Sequence, residues 1–367
     1  MRELLEPIVS EAMAQRVTPG AVVLVSDQGR IVCHEAFGQS AGPEHTPFPV
    51  ELDTIYDAAS VTKAAVTSCL LMTLVAEGKI ALDTKVAPWL PQLQGAGKGA
   101  IELRHLLGHS SGFPAHLHYF DRIWSGDLGG AATPRDALVQ MAGAEPLSYP
   151  TGTQSIYSDL GYILLGRLIE ELSGTELSTL FARRISGPLG MVDSGFVDLQ
   201  DAAAHPQLAR VAPSEDYPDR GLLHGQVHDD NANAGGGICG HAGLFTTAAD
   251  LALLAQELLD AGRGHSDIFD GQVVREFWSR AAAPETTWRM GWDTPSATPG
   301  VSHVGELWPR SGVGHLGFTG TAMWLAPQHD RFVIILSNRV YYAWDKTGIK
   351  GLRRALFDAI TRALPPL

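Results

Sequence analysis

The 367-residue chain has few cysteines, few lysines and no long hydrophobic run. Its three cysteines are odd in number and far apart, which favours reduced thiols over a disulfide framework. No stretch approaches the roughly 18 uninterrupted apolar residues of a membrane span. Basic residues number 27 against 40 acidic ones and form no run. The resulting net charge of −13 argues against nucleic acid and anionic membranes as partners.

The N-terminal segment lacks the continuous apolar region of a signal peptide. It carries acids at Glu3, Glu6 and Glu11, and its apolar residues follow helical spacing. The segment is therefore predicted to be an amphipathic helix. The sequence as printed predicts a cytoplasmic protein, whereas removal of an export signal would make it periplasmic or secreted.

The composition supports a large folded protein. At 45% hydrophobic and 18% charged residues, the chain can bury a substantial core and is not disordered. Strand-like runs near both termini enclose a middle segment whose patterns are mostly helical. This order predicts an α+β fold in which residues 1–85 and 240–367 form a sheet subdomain and residues 86–239 a mainly helical insertion.

One serine–lysine pair is the strongest chemical signal. Of the six lysines, only Lys63 follows a serine, Ser60, by three residues. Residues at this spacing share a helix face, so the lysine amine is predicted to lie beside the hydroxyl and to take up its proton as the oxygen attacks a carbonyl. The helix N-terminus would add partial positive charge near the oxyanion. For this pair alone, the alternative is an N-capping serine with an exposed lysine.

Two later segments supply further candidates. Tyr157 lies on a loop edge before a helix and could share a proton with the lysine, because a nearby ammonium favours phenolate. The alternative is a tyrosine that packs at a helix start. Further on, His315 precedes Gly317, which would let a substrate backbone approach closely. The backbone N–H groups of Phe318 and Ser60 could form an oxyanion hole.

The order of the motifs S-x-x-K, Tyr-x-Asp and H-x-G resembles that of the penicillin-recognising serine hydrolases. These include class C β-lactamases, D-alanyl-D-alanine carboxypeptidases, D-aminopeptidases and family VIII carboxylesterases. The connecting segments are similar too, from about Pro19 to Asn338. The resemblance implies a β-lactamase/transpeptidase-like fold, with an antiparallel sheet flanked by helices and an active site between the sheet and the insertion. It implies neither a metal nor an organic cofactor.

Carried over to this chain, the resemblance makes Ser60 the acylated nucleophile, Lys63 its proton partner and Tyr157 the second base. His315 stands where relatives have the lysine of K-T-G, and Asp159 stands where they have an asparagine. A mostly neutral histidine and an added negative charge would bind the carboxylate of a β-lactam poorly. The resemblance therefore implies a hydrolase of ester, amide or lactam carbonyls, with carboxylesterase or D-amino-acid peptidase activity ranked above β-lactamase.

Other interpretations remain open at this point. Acyl transfer to an acceptor other than water would use the same residues, and a non-catalytic sensor would keep only the fold. The predicted partner is in each case a small-molecule ester, peptide or lactam. Residues 108–112, around Ser110, also fit the G-x-S-x-G nucleophile elbow of α/β-hydrolases. The preceding segment, however, predicts a helix and not the strand that an elbow requires.

Three further groups have two interpretations each. One hints at zinc but matches no compact ligand spacing, which favours surface or hydrogen-bonded histidines. Its members are His109, His116, His118, Cys239 and His241. A second group lines the pocket mouth or is solvated, and consists of His224, His228, Asp229, Asp230 and Asn231. In the third, one or two loop aromatics are expected to touch substrate while the others anchor the core. They are Tyr119, Phe120, Trp124, Trp288, Trp292 and Trp308.

Overall fold

The computed structural model describes residues 1–364 except 94, 96, 203, 219, 220 and 343. The N-terminal part contains α1 (Arg2–Ala14), β1 (Gly20–Asp27), β2 (Arg30–Gly38), β3 (Tyr56–Asp57) and α2 (Cys69–Ala76). The middle part contains α3 (Leu103–Leu107), α4 (Phe120–Trp124), α5 (Pro134–Ala144), α6 (Asp159–Ser173), α7 (Leu177–Phe181), α8 (Gly187–Leu189), β4 (Glu215–Tyr217), β5 (Gly221–Leu223) and α9 (Asp230–Ala234). The C-terminal part contains β6 (Phe245–Thr246), α10 (Ala248–Gly262), α11 (Gly271–Ser279), β7 (Val313–Leu316), β8 (Ala322–Ala326), β9 (Arg331–Ser337) and α12 (Lys346–Ala363).

Five strands form one antiparallel sheet in the order β2-β1-β9-β8-β7. β1 and β2 form a hairpin, with Asp27 opposite Arg30. The first strand of the chain pairs with the last, so that Ala21 lies opposite Ser337. The predicted α+β class with an antiparallel sheet made from both termini is confirmed.

Both faces of the sheet are covered, which explains the continuous burial of β1. Successive residues of a strand point to opposite faces. Ala21, Val23 and Val25 join an apolar cluster with α1 and α12, whereas Val22 and Leu24 join the larger core that includes α10. That larger core continues through α2 into α5 and α6. The sheet and the helical part therefore share one core, and the subdomain boundaries at residues 85/86 and 239/240 stay a prediction.

The helix predicted after Ser60 is present but starts irregularly. Its first part, Lys63–Ser68, is π-helical, and α2 continues from it to Ala76. All residues of Lys63–Ser68 are buried. The sequence pattern did not predict this π-helical segment. Such segments occur often at functional sites. Within the described residues, no helix is both long and apolar enough to cross a lipid bilayer.

Candidate active site

The chain presents Ser60 on a strained turn between β3 and α2. Ala59, immediately before it, has φ +47°, a conformation that is uncommon for a residue with a Cβ. The buried Asp57 carboxylate accepts the Ala59 N–H at 2.7 Å and the His228 N–H at 2.7 Å. Ala58 is tied to the Leu244 carbonyl at 2.8 Å. Such strain persists only where the surroundings enforce it, and it occurs preferentially at functional sites.

Lys63 reaches back along the helix to this serine. Its Nζ atom lies 3.0 Å from Ser60 Oγ and donates to the His241 carbonyl at 2.8 Å. Asp159 Oδ1 lies 2.8 Å from the same nitrogen. The lysine is fully buried, and each of these three oxygens is an acceptor for its ammonium group. The structure thus brings together the serine and the lysine that the spacing paired, and adds a carboxylate.

The ion pair sets the protonation of both partners. Burial disfavours the Lys63 ammonium, but Asp159 and Tyr157 hold the pKa of Lys63 above its usual range. Burial would raise the pKa of Asp159, but Lys63 brings it below its usual range. Both groups are therefore charged near neutral pH. The expectation that Asp159 repels a substrate carboxylate stays a prediction, and the neighbouring Lys63 ammonium offsets part of that negative charge.

Tyr157 lies against the same lysine. Lys63 Nζ is 5.0 Å from the centroid of the phenol ring, and the hydroxyl interacts with Lys63 and Ser60. Burial raises the pKa of Tyr157, and the nearby Lys63 offsets only part of this rise. The ammonium therefore favours the phenolate, as expected, but the effect of burial is larger. The tyrosine is a neutral phenol in the resting site.

His315 lies in β7, on the opposite wall from the helical part. Burial and the Lys63 charge lower the pKa of His315 to about 3, so its ring is neutral, as predicted. The Nδ1 atom lies 2.8 Å from the Leu316 carbonyl oxygen. Because a carbonyl only accepts, Nδ1 carries the ring proton.

The turn after β7 is packed tightly against the Ser60 segment. A Cβ at Gly317 would lie 2.6 Å from the Ala58 carbonyl oxygen and would also collide with Thr321. The chain's own atoms therefore fill the space beside Gly317, so the packing requires a residue without a Cβ at this position. The predicted role in admitting a substrate backbone stays a prediction.

Two backbone donors face this region without a partner. Within the part of the chain that the structure describes, neither the Ser60 N–H nor the Phe318 N–H makes a hydrogen bond. Both residues are partly exposed and line the same two cavities, so their N–H groups are open to a ligand there. Their role as an oxyanion hole stays a prediction.

The two cavities meet at Ser60, which they share with Tyr157, Phe318 and Lys346. The smaller one has a volume of about 320 Å³ and is also lined by His315 and Trp288. The larger one, of about 430 Å³, has aromatic and ionisable walls. These walls include His116, Phe120, Asp159, Asp229 and Trp344. A molecule centred on Ser60 therefore has room on both sides.

The structure shows where the loop residues lie for which the sequence allowed two interpretations. Those on the cavity walls are Phe120, Trp288, His228, Asp229 and Asp230. Three of the aromatics are buried in the core, namely Tyr119, Trp292 and Trp308. Trp124 is 45% exposed, and His224 bonds to the Val211 carbonyl. Asn231 is buried and accepts the N–H groups of Tyr119 and Phe120. Phe120 and Trp288 are thus the aromatics of this group on the cavity walls, and their contact with substrate stays a prediction.

The nucleophile-elbow interpretation of Ser110 is excluded. This serine follows α3 and not a strand, and it is fully buried. Its hydroxyl donates to the Ala282 carbonyl at 3.2 Å. It is a turn serine, as the helical pattern before it predicts.

One cluster among the described residues has metal-binding atoms. The donor atoms of His116, Asp159 and Asp229 lie within 4.8 Å of one another. Each carboxylate already balances an internal cation, since Asp159 pairs with Lys63, and Asp229 Oδ1 lies 2.8 Å from His241 Nε2. Burial disfavours a charged His241, yet Asp229 raises the pKa of His241 to about 10. The cluster is therefore charge-balanced without a dication.

Sequence reasoning missed two residues of the site, Trp344 and Lys346, which line the larger cavity. Trp344 donates to Glu215 Oε2 at 2.8 Å and packs edge-on against Phe318, with ring centroids 5.6 Å apart. Lys346 Nζ lies 5.2 Å from the Phe318 ring centroid. A tryptophan just before the last helix and a lysine at its first residue were the available signal.

Comparisons with known proteins identify the family of the chain. The profile of the family described as Beta-lactamase matches residues 5–356. A putative D-alanyl-D-alanine carboxypeptidase of Escherichia coli (strain K12) is 30% identical over 345 residues, which cover 88% of this chain and 78% of the relative. An N-acetylmuramyl-L-alanine amidase of Bacillus subtilis (strain 168) is 30% identical over 342 residues, covering 88% and 77% respectively.

A solved structure shows the same fold. EstCE1, described as a hydrolase with promiscuous acyltransferase activity, superposes with a TM-score of 0.72 at 19% identity. The superposition covers 97% of this chain and 98% of EstCE1. The chain therefore belongs to the Beta-lactamase family, as a serine hydrolase with the β-lactamase/transpeptidase fold.

Proposed function

We propose that the protein forms an acyl-enzyme on Ser60 and hydrolyses small esters or peptides, as a carboxylesterase or a D-amino-acid peptidase. The observation that carries this proposal is the 3.0 Å contact between Lys63 Nζ and Ser60 Oγ where the two cavities meet. The cavities give room for an acyl group on one side of the serine and a leaving group on the other. Relatives named carboxypeptidase and amidase support a carbonyl substrate of this kind.

The proposed reaction starts from an ammonium at Lys63 and a phenol at Tyr157. Neither resting group is a base, so the reactive form is the minor state in which the phenol has lost its proton. The Tyr157 phenolate accepts the Ser60 proton while the Lys63 ammonium stabilises both oxygens. As the Oγ–C bond forms, the carbonyl oxygen becomes negative and binds the N–H groups of Ser60 and Phe318.

The second half of the reaction reverses these proton transfers. Tyr157 returns the proton to the leaving group as the bond between carbonyl carbon and leaving group breaks. A water molecule then gives a proton to Tyr157 and attacks the carbonyl carbon of the acyl-enzyme. Tyr157 passes that proton to Ser60 Oγ as the bond between Oγ and the carbonyl carbon breaks, which releases the acid and restores the Ser60 hydroxyl. In this mechanism Lys63 keeps its proton throughout, a difference from the role of proton acceptor expected from the sequence.

The charges around the cavities support esters and peptides over β-lactams. His315 is neutral and offers no positive charge to a carboxylate. Arg339 lines the smaller cavity but directs its guanidinium at the carbonyls of Phe318 and Asp345, at 2.7 Å and 3.1 Å. Arg353, also on the smaller cavity, is buried and donates to the carbonyls of Gly317, Gly320 and Thr321. Lys346, which borders both cavities, is the exposed lysine on these walls and is placed to attract a carboxylate.

A labelling experiment tests the proposal. Intact protein is treated with a fluorophosphonate and examined by mass spectrometry, and hydrolysis of p-nitrophenyl acetate is measured in parallel. Ser60→Ala should abolish the adduct and reduce turnover by about 10³-fold or more, as in other serine hydrolases. Ser110→Ala is the matched control and should keep both. A folded wild-type protein without an adduct would favour the sensor, and excess ester product in the presence of an added alcohol would favour acyl transfer.

A further inference from the structure

His109 bonds to the chain on both sides of Tyr157. Its ring Nδ1 accepts the Ser158 N–H at 3.1 Å, and its carbonyl oxygen accepts the Ile156 N–H at 2.9 Å. The Tyr149 hydroxyl donates to the same carbonyl at 3.1 Å. One residue therefore fixes the backbone immediately before and after the phenol.

The imidazole also packs on the phenol ring itself. The centroids of His109 and Tyr157 are 4.6 Å apart, with the planes tilted by 40°. Trp288 lies 4.5 Å from the imidazole centroid and 5.3 Å from that of the phenol. Three rings thus contact one another, and their packing restricts the side-chain torsions of Tyr157.

An unusual backbone conformation of His109 allows its ring and its carbonyl to contact the Tyr157 segment together. His109 has φ +57°, in the left-handed region, where histidine and asparagine are less rare than most residues with a Cβ. The turn after α3 therefore directs the carbonyl and the ring of one residue at the same segment. Asparagine tolerates this conformation, and its side-chain oxygen can replace Nδ1 as an acceptor, whereas alanine offers no acceptor.

His109 does not reach the substrate. It is 1% exposed and is not among the residues that line either cavity at Ser60. Burial and the nearby Lys63 hold the pKa of His109 well below its usual range, so the ring is neutral. A neutral ring adds no positive charge beside the Lys63 ammonium.

We propose that His109 is a positioning residue, which holds the Tyr157 hydroxyl against Ser60 and Lys63 for proton transfer. This inference rests on the proposed function, because it needs Tyr157 to carry the proton. It also gives a role to the G-H-S-S-G segment, whose serine is not a nucleophile. Displacing a reacting group by about 1 Å can cost on the order of 10²-fold in rate.

The test is a double-mutant cycle between His109→Ala and Tyr157→Phe. The measurements are kcat and KM for a p-nitrophenyl ester across pH, the rate of fluorophosphonate labelling of Ser60, and Tm. His109→Ala alone should lower kcat and the labelling rate by about 10²-fold with little change in KM. In the Tyr157→Phe background the same change should cost less than about 3-fold, because the group that it positions is gone.

Two further variants separate positioning from stability. His109→Asn keeps the backbone conformation and an acceptor for the Ser158 N–H, and should recover part of the loss in kcat. If His109→Ala does not fold, His109→Asn is compared with the wild type in both backgrounds instead. His105→Ala is the matched control, since His105 is a buried histidine whose Nδ1 accepts the Glu102 N–H at 3.0 Å. It should lower Tm and have the same effect on kcat in both backgrounds.

The outcomes distinguish this inference from the proposed function. If His109→Ala costs the same factor with and without the Tyr157 hydroxyl, His109 does not act through Tyr157 and the inference is overturned. If Tyr157→Phe leaves kcat and the labelling rate unchanged, the proton-transfer mechanism itself is overturned. The inference and the proposed function are both supported if Tyr157→Phe causes a large loss of kcat and the loss in the double mutant is smaller than the product of the two single losses.

Discussion

Lys63 Nζ and Asp159 Oδ1 lie 2.8 Å apart and form a buried ion pair at the foot of the Ser60 side chain. Relatives that the motifs resemble have an amide in place of this carboxylate. The pair keeps the lysine in its ammonium form, because the negative charge more than offsets the loss of hydration. The pKa of Lys63 is thus the property of the site in which this chain differs most clearly from the motif pattern that it resembles.

Replacing the carboxylate should change the pH dependence of the reaction. Asp159→Asn removes the charge that raises the pKa of Lys63, while burial, which lowers it, remains. The ammonium becomes less stable, so the pKa of Lys63 falls and the alkaline part of the profile of kcat/KM against pH should move to lower pH. Asp267→Asn, an exposed residue with the same change in charge, should leave the profile in place. An unchanged profile in Asp159→Asn would contradict the assigned protonation.

Lys63 and Tyr157 should behave as one unit. Lys63→Met and Tyr157→Phe should each remove most of the esterase activity, and the double variant should lose little more, because both act on the same proton. Steady-state kcat and the fluorophosphonate labelling rate measure this. Losses that multiply would show two independent roles for these residues.

The same lysine should also matter for stability. Lys63→Met leaves Asp159, whose side chain is 14% exposed, without its cation, and should lower the free energy of unfolding by about 3 kcal/mol. Adding Asp159→Asn removes the unpaired charge and should restore much of this loss. Urea titrations of the single and double variants measure it. A double variant less stable than Lys63→Met would show that the pair contributes through another interaction.

A second buried pair should give stability a dependence on alkaline pH. His241 is fully buried, and Asp229 raises the pKa of His241 in the folded protein to about 10, above the value of 6.5 for a free histidine. The stabilisation from the protonated ring is complete below pH 6.5 and is lost as pH rises through about 10. The difference in unfolding free energy between wild type and His241→Asn/Asp229→Asn should therefore fall across this interval. A constant difference would show that the ring is uncharged.

Esters should be better substrates than β-lactams. The neutral His315 provides no charge for the β-lactam carboxylate, so kcat/KM for a p-nitrophenyl ester should exceed that for a cephalosporin. Matched esters with and without a carboxylate on the acyl group isolate the effect of charge. Lys346→Gln should weaken only the carboxylate-bearing ester. Equal kcat/KM values for the cephalosporin and the neutral ester would contradict the prediction.

Local spacing and the motif order predicted the fold class and the residues that meet at the site. The pairing of Ser60 with Lys63 follows from helix geometry alone, and it lies at 3.0 Å in the structure. The protonation states did not follow, because they depend on burial and on a carboxylate that is distant in the sequence. The role of His109 was not predictable either, since it depends on a left-handed backbone conformation that no pattern in the segment indicates.

The pairing of the first strand with the last has a consequence for how the molecule is made. β1 occupies the interior of the sheet, yet its neighbour β9 ends at Ser337. During synthesis on a ribosome, the β1 edge that pairs with β9 and the mostly apolar faces of β1 stay uncovered until nearly the entire chain has been made. Such unpaired edges favour aggregation. Contacts between residues so distant in sequence also form slowly. The helical middle part is therefore expected to become compact first, and Ser60 to gain its second wall only when the last strands join the sheet.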